Sequence, residues 1–550
     1  MLEKIVALRN GENSVNEFLS ALRQGIPSAV FGVSDAFKNY MVSTVESPVL
    51  YVVKDFLAAA TAERAIRELT GKKTVYLPEK EETLILTRAF SKDGLYKRIR
   101  AIKDIKSADV IITTAAALMQ PCPKAVRTFT VSRGQTLSRE EIISFLTETG
   151  YERTESVEVK GTFAVRGDVL DVFPIDAEEP LRIDFFDDYV ENIKTFDTET
   201  RKTAAVSERA EIIQAKEYVF NAGELQKLLK TAKEETLAAD KTRKIRLKEI
   251  YEDILLSAEK EDEGLNALAV LSLNCGTVFD LLAKDTVVIF DEAKRVYDSA
   301  VLSAAEFTER FNSLYSAGEV FSFAKKNCIG TEELKNGLMS FREATLQTLS
   351  AANPFFNPLK IVNPKSGGVI NYRLDFKEVF TDIDNWLYSG YRVLICAGNA
   401  SRAEMLCRDL SDRGIASAMS ERGELKGVVI STETLSAGFI FHEEKVAVIG
   451  SGNLFSRGAP AEKLKVRRQS FFTAPEVGDY CVHEIHGIGR VLGVKKITTT
   501  EGTKDYVAVE YQGGDVLYVP VEQMDILTRY LGSEKKPKLS RIGGVDFEKV

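Results

Sequence analysis

The fold is decided by a stretch at residues 28–39, SAVFGVSDAFKN, in which a short β-rich run turns at a glycine into a helical segment. The runs SPVLYVV, KTVYLP and ADVIITT follow it as further apolar strands. Between them, DFLAAATAERAIRELTG is typical of a helix that ends at Gly71. Strands that alternate with helices in this way predict a parallel α/β sheet, and we expect its first part at residues 1–125.

The turn after the first strand has the frame of a phosphate-binding loop but lacks two of its key residues. The pattern GxxxxGK[ST] needs a second glycine, so that backbone amides approach the phosphates, and a hydroxyl that holds magnesium. Gly32 and Lys38 are in place, but Phe37 stands at the second glycine and Asn39 at the hydroxyl. The alternative is a plain strand-to-helix turn with a chance lysine.

An acidic pair after a later apolar strand bears on that choice. Asp291 and Glu292 follow the run TVVIF at residues 286–290. Carboxylates in this position have the form of a Walker B motif, which holds magnesium and orients water. Together with the altered loop they indicate a nucleotide-binding ancestor whose site has been lost. We therefore predict no catalytic residue and no bound cofactor in this chain.

The texture of the sequence changes several times along the chain. A stretch of alternating residues predicts antiparallel hairpins inserted in the α/β domain, and a small, strongly β module with Gly-rich turns follows near the carboxyl terminus. We therefore expect a multidomain α/β architecture. After the first α/β part, its regions are the β-rich insertion at 126–206, the second α/β part at 207–345, a small α/β domain of unknown role at 355–455, a linker at 456–475, the β module at 476–532 and the start of a further linker at 533–550.

Composition excludes several classes of protein. The net charge of −8 means that the whole molecule repels nucleic acid, and no window approaches the roughly 18 apolar residues of a membrane span. The six cysteines lack CxxC spacing and are typical of reduced thiols in the cytoplasm.

Cys481, His483 and His486 lack further ligands nearby, so we expect no metal site. The basic cluster at residues 463–468 is interpreted as a solvated linker.

Two pairs of motifs carry a resemblance to known families. The segments KGTFAVRGDVLDVFP at 160–174 and LRIDFFDD at 181–188 resemble the domain of the excision-repair protein UvrB that UvrA engages. The segments VHEIHGIGR at 482–490 and DVLYVPV at 515–521 resemble the RNA-polymerase-interacting domain shared with CarD-type regulators, a small Tudor-like β-barrel. A decayed UvrB-like module combined with that barrel is similar to the bacterial transcription-repair coupling factors. The resemblance covers nearly the whole chain and is weaker at 355–450.

The resemblance implies a contact with UvrA through Arg166, Arg182 and Phe186. Arginine offers bidentate, weakly hydrated donors, and an exposed aromatic ring is a common anchor of protein interfaces. In the alternative, Phe186 packs inward and both arginines pair with the acidic residues at 184, 187 and 188.

The resemblance also implies that the barrel pairs an edge strand with the β subunit of RNA polymerase. Val516, Leu517 and Tyr518 are the predicted contact strand. Pro520 would end the pairing because it lacks an amide hydrogen. In the alternative, Leu517 and Tyr518 belong to the ordinary core of the barrel.

These inferences predict an adaptor that holds stalled RNA polymerase and recruits UvrA for nucleotide excision repair. In the family, ATP and magnesium belong to motor domains that translocate on duplex DNA, and we expect residues 533–550 to begin the linker to that motor. One alternative is a UvrB-type, ATP-dependent damage-binding protein with nucleotide at Lys38 and Asp291. Another is a protein that acts in transcription only. We expect the adaptor in the cytoplasm, with no membrane contact.

Overall fold

The computed structural model describes residues 13–80, 84, 92–198, 200, 202–260, 263–419, 427–455, 478, 480–483, 487–499, 502–512, 516–520 and 527–529. The chain divides into two compact units, Met1–Gly458 and Ala459–Val550. Within the described residues, no helix combines the length and the apolar character needed to cross a bilayer.

Strands and helices of the first unit are numbered in chain order. The strands are β1 (Ser28–Phe31), β2 (Val49–Val53), β3 (Thr74–Leu77), β4 (Val110–Thr114), β5 (Cys122–Pro123), β6 (Thr128–Ser132), β7 (Glu152–Arg153), β8 (Thr162–Arg166), β9 (Val169–Val172), β10 (Leu181–Phe186), β11 (Tyr189–Phe196), β12 (Thr203–Ser207), β13 (Arg209–Ile213), β14 (Cys275–Gly276), β15 (Val287–Asp291), β16 (Arg342–Gln347), β17 (Lys360–Val362), β18 (Ser366–Gly368), β19 (Arg392–Cys396), β20 (Ser417–Met419), β21 (Val428–Ser431), β22 (Phe439–Phe441) and β23 (Val446–Ile449). The helices are α1 (Ser14–Arg23), α2 (Asp35–Thr44), α3 (Phe56–Thr70), α4 (Lys92–Asp104), α5 (Ala115–Met119), α6 (Arg139–Glu148), α7 (Ala222–Ala238), α8 (Lys241–Lys260), α9 (Ala293–Ala317), α10 (Thr331–Leu338), α11 (Phe376–Tyr388), α12 (Ala400–Ser411) and α13 (Ser451–Phe455). Short 3₁₀ turns occupy Ile105–Ser107, Glu263–Leu271, Val278–Asp280 and Ser322–Asn327.

A seven-stranded sheet in the order β17-β1-β16-β15-β2-β4-β3 forms the first α/β domain, and all its strand pairs are parallel. Its central strands are continuous apolar runs because apolar clusters cover both faces of the sheet. Helix α3 ends at Gly71, whose φ of 65° is the left-handed conformation that glycine adopts at low cost. The predicted parallel α/β sheet and the predicted end of this helix are confirmed.

Strand β16 carries a buried carboxyl that makes stability depend on pH. Glu343 lies opposite Val288 in the sheet, and burial raises the pKa of its carboxyl from 4.5 to about 7 against the opposing attraction of Lys335. The folded protein therefore favours the protonated form and loses stability as pH rises from 4.5 towards 7. Between about pH 5 and about pH 8, the free energy of unfolding should fall by about 2 kcal/mol relative to that of Glu343→Gln. Urea unfolding at both pH values measures this, and a constant difference would contradict it.

The β-rich insertion forms a six-stranded sheet in the order β12-β11-β10-β9-β8-β7, antiparallel except for β7 and β8. A separate pair joins β13 to β6, so the strands of the insertion continue to Ile213, beyond residue 206 where the sequence placed their end. One face of the sheet packs on α6 and on the β6–β13 pair through a single apolar cluster. The opposite face carries Arg182 and Phe186.

The second α/β domain is a mixed sheet in the order β18-β22-β23-β19-β21-β20. Its strands β23, β19, β21 and β20 are parallel, and α11 and α12 pack on them. Strand β17, which falls inside the predicted range 355–455, belongs instead to the first sheet. The change from one sheet to the next therefore lies between β17 and β18.

The second unit is an antiparallel sheet in the order β27-β26-β25-β24-β28. Its strands are β24 (Tyr480–His483), β25 (Gly487–Thr499), β26 (Gly502–Glu510), β27 (Val516–Pro520) and β28 (Leu527–Arg529). Over the described strands, β27 and β28 are the two edges of this sheet. The predicted linkers at 456–475 and 533–550, and the basic cluster at 463–468, lie outside the described residues.

Candidate docking sites

The outer face of the inserted sheet is set by the alternation of strand β10. Leu181, Ile183 and Phe185 point into the core, whereas Arg182 and Phe186 lie on the opposite face. Arg166 belongs to the same face because it is opposite Val169, which is in turn opposite Asp184 on β10. The three residues predicted to contact UvrA therefore share one face of three adjacent strands.

Phe186 is an exposed aromatic anchor at the tip of a hairpin. Its side chain is 76% exposed, and its cross-strand neighbour Tyr189 is 47% exposed. The turn between them places Asp187 at a φ of 53°, a conformation that Asp tolerates better than most residues. The alternative in which Phe186 packs inward is wrong.

Arg182 is held in a fixed position on this face. Its Nε donates to Asp171 Oδ1 at 2.7 Å and its Nη2 donates to Asp171 Oδ2 at 2.8 Å. Its guanidinium also lies over the ring of Phe196 at 4.7 Å. The hydrogen bonds to Asp171 raise the pKa of Arg182 above its ordinary value, so the guanidinium stays charged. The alternative, in which Arg182 pairs with the acidic residues at 184, 187 and 188, is wrong, because Asp171 accepts its hydrogen bonds.

The other charges of the face are divided between paired and unpaired groups. Lys194, opposite Arg182 on β11, bonds to Asp184 at 2.6 Å. Arg166 is exposed and donates to the backbone carbonyl of Glu155. Within the described chain, Arg166 forms no ion pair. Its charge is therefore available to a partner.

Sequence reasoning missed three members of this face. Asp171, Tyr189 and Lys194 complete it, but none was singled out from the motifs. The available signal was Asp171 itself, because a carboxylate inside the apolar strand Val169–Val172 must find a partner when it is buried. Its partner depends on the β9–β10 register, which the sequence does not show.

The altered phosphate-binding turn is filled by its own lysine. Lys38, on α2, has a side chain that is only 2% exposed, and its ammonium bonds to Asp291 at 2.8 Å, Glu292 at 2.7 Å and Asp35 at 3.0 Å. Burial disfavours the charged ammonium, but the attraction of these carboxylates outweighs it and raises the pKa of Lys38 above its ordinary value. Although burial opposes it, hydrogen bonds from Lys38 and the backbone of Thr348 hold the pKa of Glu292 below its usual range. The lysine that would meet a phosphate is thus neutralised internally.

Phe37, at the position of the missing glycine, packs against the second α/β domain. Its ring is fully buried, with centroids 5.5 Å from Phe439 and 5.2 Å from Phe441 on β22. Tyr40, one turn along α2, contacts Phe439 with tilted rings whose centroids are 4.8 Å apart. The aromatic residue therefore joins two domains at a position where a nucleotide site needs bare backbone.

Two polar contacts reinforce this junction. Ser436 donates to Glu68 on α3, through its amide at 2.7 Å and its hydroxyl at 2.8 Å. Ser14, at the start of α1, donates its hydroxyl to Glu443 at 2.8 Å. The second α/β domain is consequently anchored to the first from two of its loops.

The predicted polymerase-contact strand is an edge of the second unit. β27 pairs with β26 on one side, through a register that runs from Val516 opposite Glu510 to Pro520 opposite Tyr506. Leu517 is half-buried and packs against the core of this unit, opposite Val509. Val516 is half-buried on the other face. The backbone of Tyr518 lies within the strand, and its side chain is outside the described residues.

Metal-binding chemistry has no support in the described part of the chain. Cys481 is buried, and burial raises the pKa of its thiol to about 11. No group of three or more His, Cys, Asp or Glu is placed to hold a metal ion among the residues that the structure describes.

Comparison with known proteins agrees with both docking regions. A family model described as the UvrB interaction domain matches residues 129–218, and one described as the CarD-like/TRCF RID domain matches residues 476–531. The transcription-repair coupling factor of Bacillus subtilis (strain 168) is 25% identical over 98% of this chain and 48% of that protein. Proteins of the same name from Staphylococcus haemolyticus and Staphylococcus aureus are 28% and 27% identical over 76% of this chain and 37% of theirs.

The chain thus spans about half the length, or less, of the curated relatives that it matches. Both domain models match this one chain, and the three relatives described above carry the same name. The chain is therefore similar to the amino-terminal region of transcription-repair coupling factors, in the two matched domains and along most of its length.

Proposed function

We propose that this chain is the docking part of a transcription-coupled DNA repair factor. The inserted sheet recruits UvrA, and the carboxy-terminal module, a Tudor-like barrel, holds the β subunit of a stalled RNA polymerase. The first α/β domain descends from a P-loop fold and serves as a scaffold. The chain acts in the cytoplasm as an adaptor and has no catalytic residues of its own.

The observation that carries this proposal is the outer face of the inserted sheet. It combines an exposed ring, Phe186, with two arginines, which are the residue types enriched at the centres of protein interfaces. A monomer has no structural reason to expose an aromatic ring beside a guanidinium that is already held in place. Domain matching supports the same region as a UvrB-type interaction domain.

The proposal places nucleotide binding in the rest of the family protein, outside this chain. Lys38 is already bonded to three carboxylates, so the turn has no cation left for a phosphate. We propose that this chain binds no cofactor and that ATP, Mg²⁺ and duplex DNA are handled by motor domains in the rest of the family protein. A UvrB-type, ATP-dependent damage-binding protein would instead need a vacant lysine at this position.

Phe186→Ala should weaken the binding of UvrA by about thirtyfold or more, because an exposed aromatic anchor contributes about 2 kcal/mol or more to an interface. Calorimetric titration of purified UvrA into the chain measures the effect. Phe56→Ala is the matched control, since it truncates an exposed Phe on α3, outside the inserted domain. Equal UvrA affinity for both variants would contradict the proposal and leave a role in transcription only.

Val516→Glu should weaken the binding of RNA polymerase by about tenfold or more, because a charge on an edge strand opposes the addition of another strand. Within the chain, the new carboxylate would lie opposite Glu510, which is already paired with Arg490. Leu517→Arg is less informative, since Leu517 packs on the core and its loss would also disturb the fold.

The matched control is Leu492→Glu, which places the same charge at an exposed position on the interior strand β25. The affinity of both variants for polymerase is measured on a surface that carries the immobilised β subunit. The affinity of each variant for UvrA should be unchanged. If Val516→Glu binds polymerase as tightly as Leu492→Glu, β27 is not the docking edge.

A further inference from the structure

The guanidinium of Arg182 has one edge in use and one edge without a partner. Such a group can hold a carboxylate on its side edge, through Nε and one terminal nitrogen, or on its end edge, through both terminal nitrogens. Asp171 occupies the side edge at 2.7 and 2.8 Å. In the described residues Nη1 has no hydrogen-bond partner, so the end edge remains available.

The support beneath Arg182 restricts the plane of its guanidinium. Asp171 is buried in β9, directly opposite Arg182 in the β9–β10 register. The ring of Phe196, from the neighbouring strand β11, lies 4.7 Å from the guanidinium carbon. An arginine side chain loses rotamer freedom when an interface fixes it, and these two contacts remove much of that cost before a partner arrives.

The charge around this position favours an acidic partner. The outer face carries Arg166, Arg182 and Lys194 against the two carboxylates of Asp171 and Asp184. Arg182 forms an ion pair with Asp171 and Lys194 with Asp184, so on the described strands of this face Arg166 is the charge outside an ion pair. Complementary charge at such a surface selects an acidic group and disfavours a basic one.

We infer that Asp171 is a positioning residue, which together with Phe196 holds Arg182 so that its end edge receives a carboxylate of UvrA. This inference rests on the proposed function, because it specifies the chemistry of the same docking face. It assigns a binding role to two residues that make no contact with the partner themselves. Among the side chains of an unmodified protein, a carboxylate is the group that offers two charged oxygens to both nitrogens of the edge.

The test is a double-mutant cycle on UvrA affinity, measured by calorimetry with the whole chain. Asp171→Asn should weaken binding by about tenfold, because the amide no longer accepts both hydrogen bonds with a full charge. In an Arg182→Ala background the same substitution should have no further effect, since Asp171 acts through Arg182. Arg182→Lys should not restore binding, because an ammonium lacks the planar edge.

A second probe and a control separate positioning from folding. Phe196→Leu removes the ring but keeps the apolar volume, and its effect on affinity should likewise vanish in the Arg182→Ala background. Asp176→Asn removes the carboxylate partner of Lys103 elsewhere in the insertion and should leave UvrA affinity unchanged. The urea midpoint of each variant reports its fold independently of binding.

The outcomes distinguish this inference from the proposed function. If Phe186→Ala, Arg166→Ala and Arg182→Ala all leave UvrA affinity unchanged, the proposed docking face is wrong. If Arg182→Ala weakens binding but Asp171→Asn does not, the docking face stands and the positioning role is overturned. A full additional loss for Asp171→Asn in the Arg182→Ala background would also overturn it.

Discussion

Introducing glycine at position 37 should destabilise the first unit without creating a nucleotide site. Phe37 is fully buried between Tyr40 and the two phenylalanines of β22, and truncation of a buried Phe typically costs 3–5 kcal/mol. Glycine inside α2 adds roughly 0.5–1 kcal/mol in backbone entropy. The lost ring would also loosen the junction with the second α/β domain.

Nucleotide binding should not return even when Phe37→Gly is combined with Asn39→Ser, which completes the phosphate-loop pattern. Lys38 would remain bonded to Asp35, Asp291 and Glu292, so an incoming phosphate would meet more negative than positive charge. Urea unfolding and Mg-ATP titration by calorimetry measure the two effects. Phe186→Ala, which truncates an exposed Phe, is the stability control and should change the free energy of unfolding little. Micromolar ATP affinity in the double variant would contradict the prediction.

Glu217→Ala should be similarly damaging, because it leaves a buried guanidinium without a counter-charge. Arg98 on α4 donates to Glu217 at 3.0 Å and to the carbonyl oxygens of Pro78 and Pro121 at 2.6 and 3.0 Å. Lys80 forms a further ion pair with Glu217 at 3.1 Å. Burial opposes the charged carboxylate, but the two cations hold the pKa of Glu217 below its usual range. Removing one partner of such a buried pair costs about 3–5 kcal/mol.

The position of this cluster gives the loss a structural consequence. Pro121 precedes the inserted domain and Glu217 follows it, so Arg98 joins both chain crossings to the first α/β domain. Urea unfolding measures the loss, and limited proteolysis should show faster cleavage near residues 214–218. Glu211→Ala is the control, because it removes a half-exposed partner of Lys103 on the adjacent strand β13 and should cost about 1 kcal/mol or less. Equal losses for both variants would show that the buried cluster contributes nothing special.

Local patterns were sufficient for five of the seven strands of the first sheet, whereas β16 and β17 were not predicted. Apolar runs predicted β2, β4 and β15, and a glycine after an amphipathic run predicted the end of α3 at Gly71. The outward position of Phe186 was implied only by the family resemblance, although the inward alternation of Leu181, Ile183 and Phe185 accounts for it in the structure. The apolar strand runs and the helix end depend on residues that are close in the sequence, so the sequence shows them directly.

Local sequence patterns could not predict which side chains from distant parts of the sequence contact each other. Arg182 was expected, as an alternative, to pair with the acidic residues that follow it, yet its partner is Asp171 on the adjacent strand. Leu517 was predicted as a contact residue, and the structure packs its side chain on the core of the second unit. In both cases the strand register decided which neighbour each side chain meets, and register is a property of the assembled sheet.

The sequence by itself determined that this chain has a parallel α/β domain whose first turn matches the phosphate-binding pattern only in part, and the family resemblance pointed to an exposed Phe186 and to a contact strand near residue 516. Only the tertiary structure decided that Lys38 is neutralised by carboxylates 253 and 254 residues away, and that Phe37 is covered by β22. The physical reason is range. Hydrophobic period and turn chemistry act between near neighbours, whereas buried ion pairs and domain junctions form only when distant segments are brought together by folding.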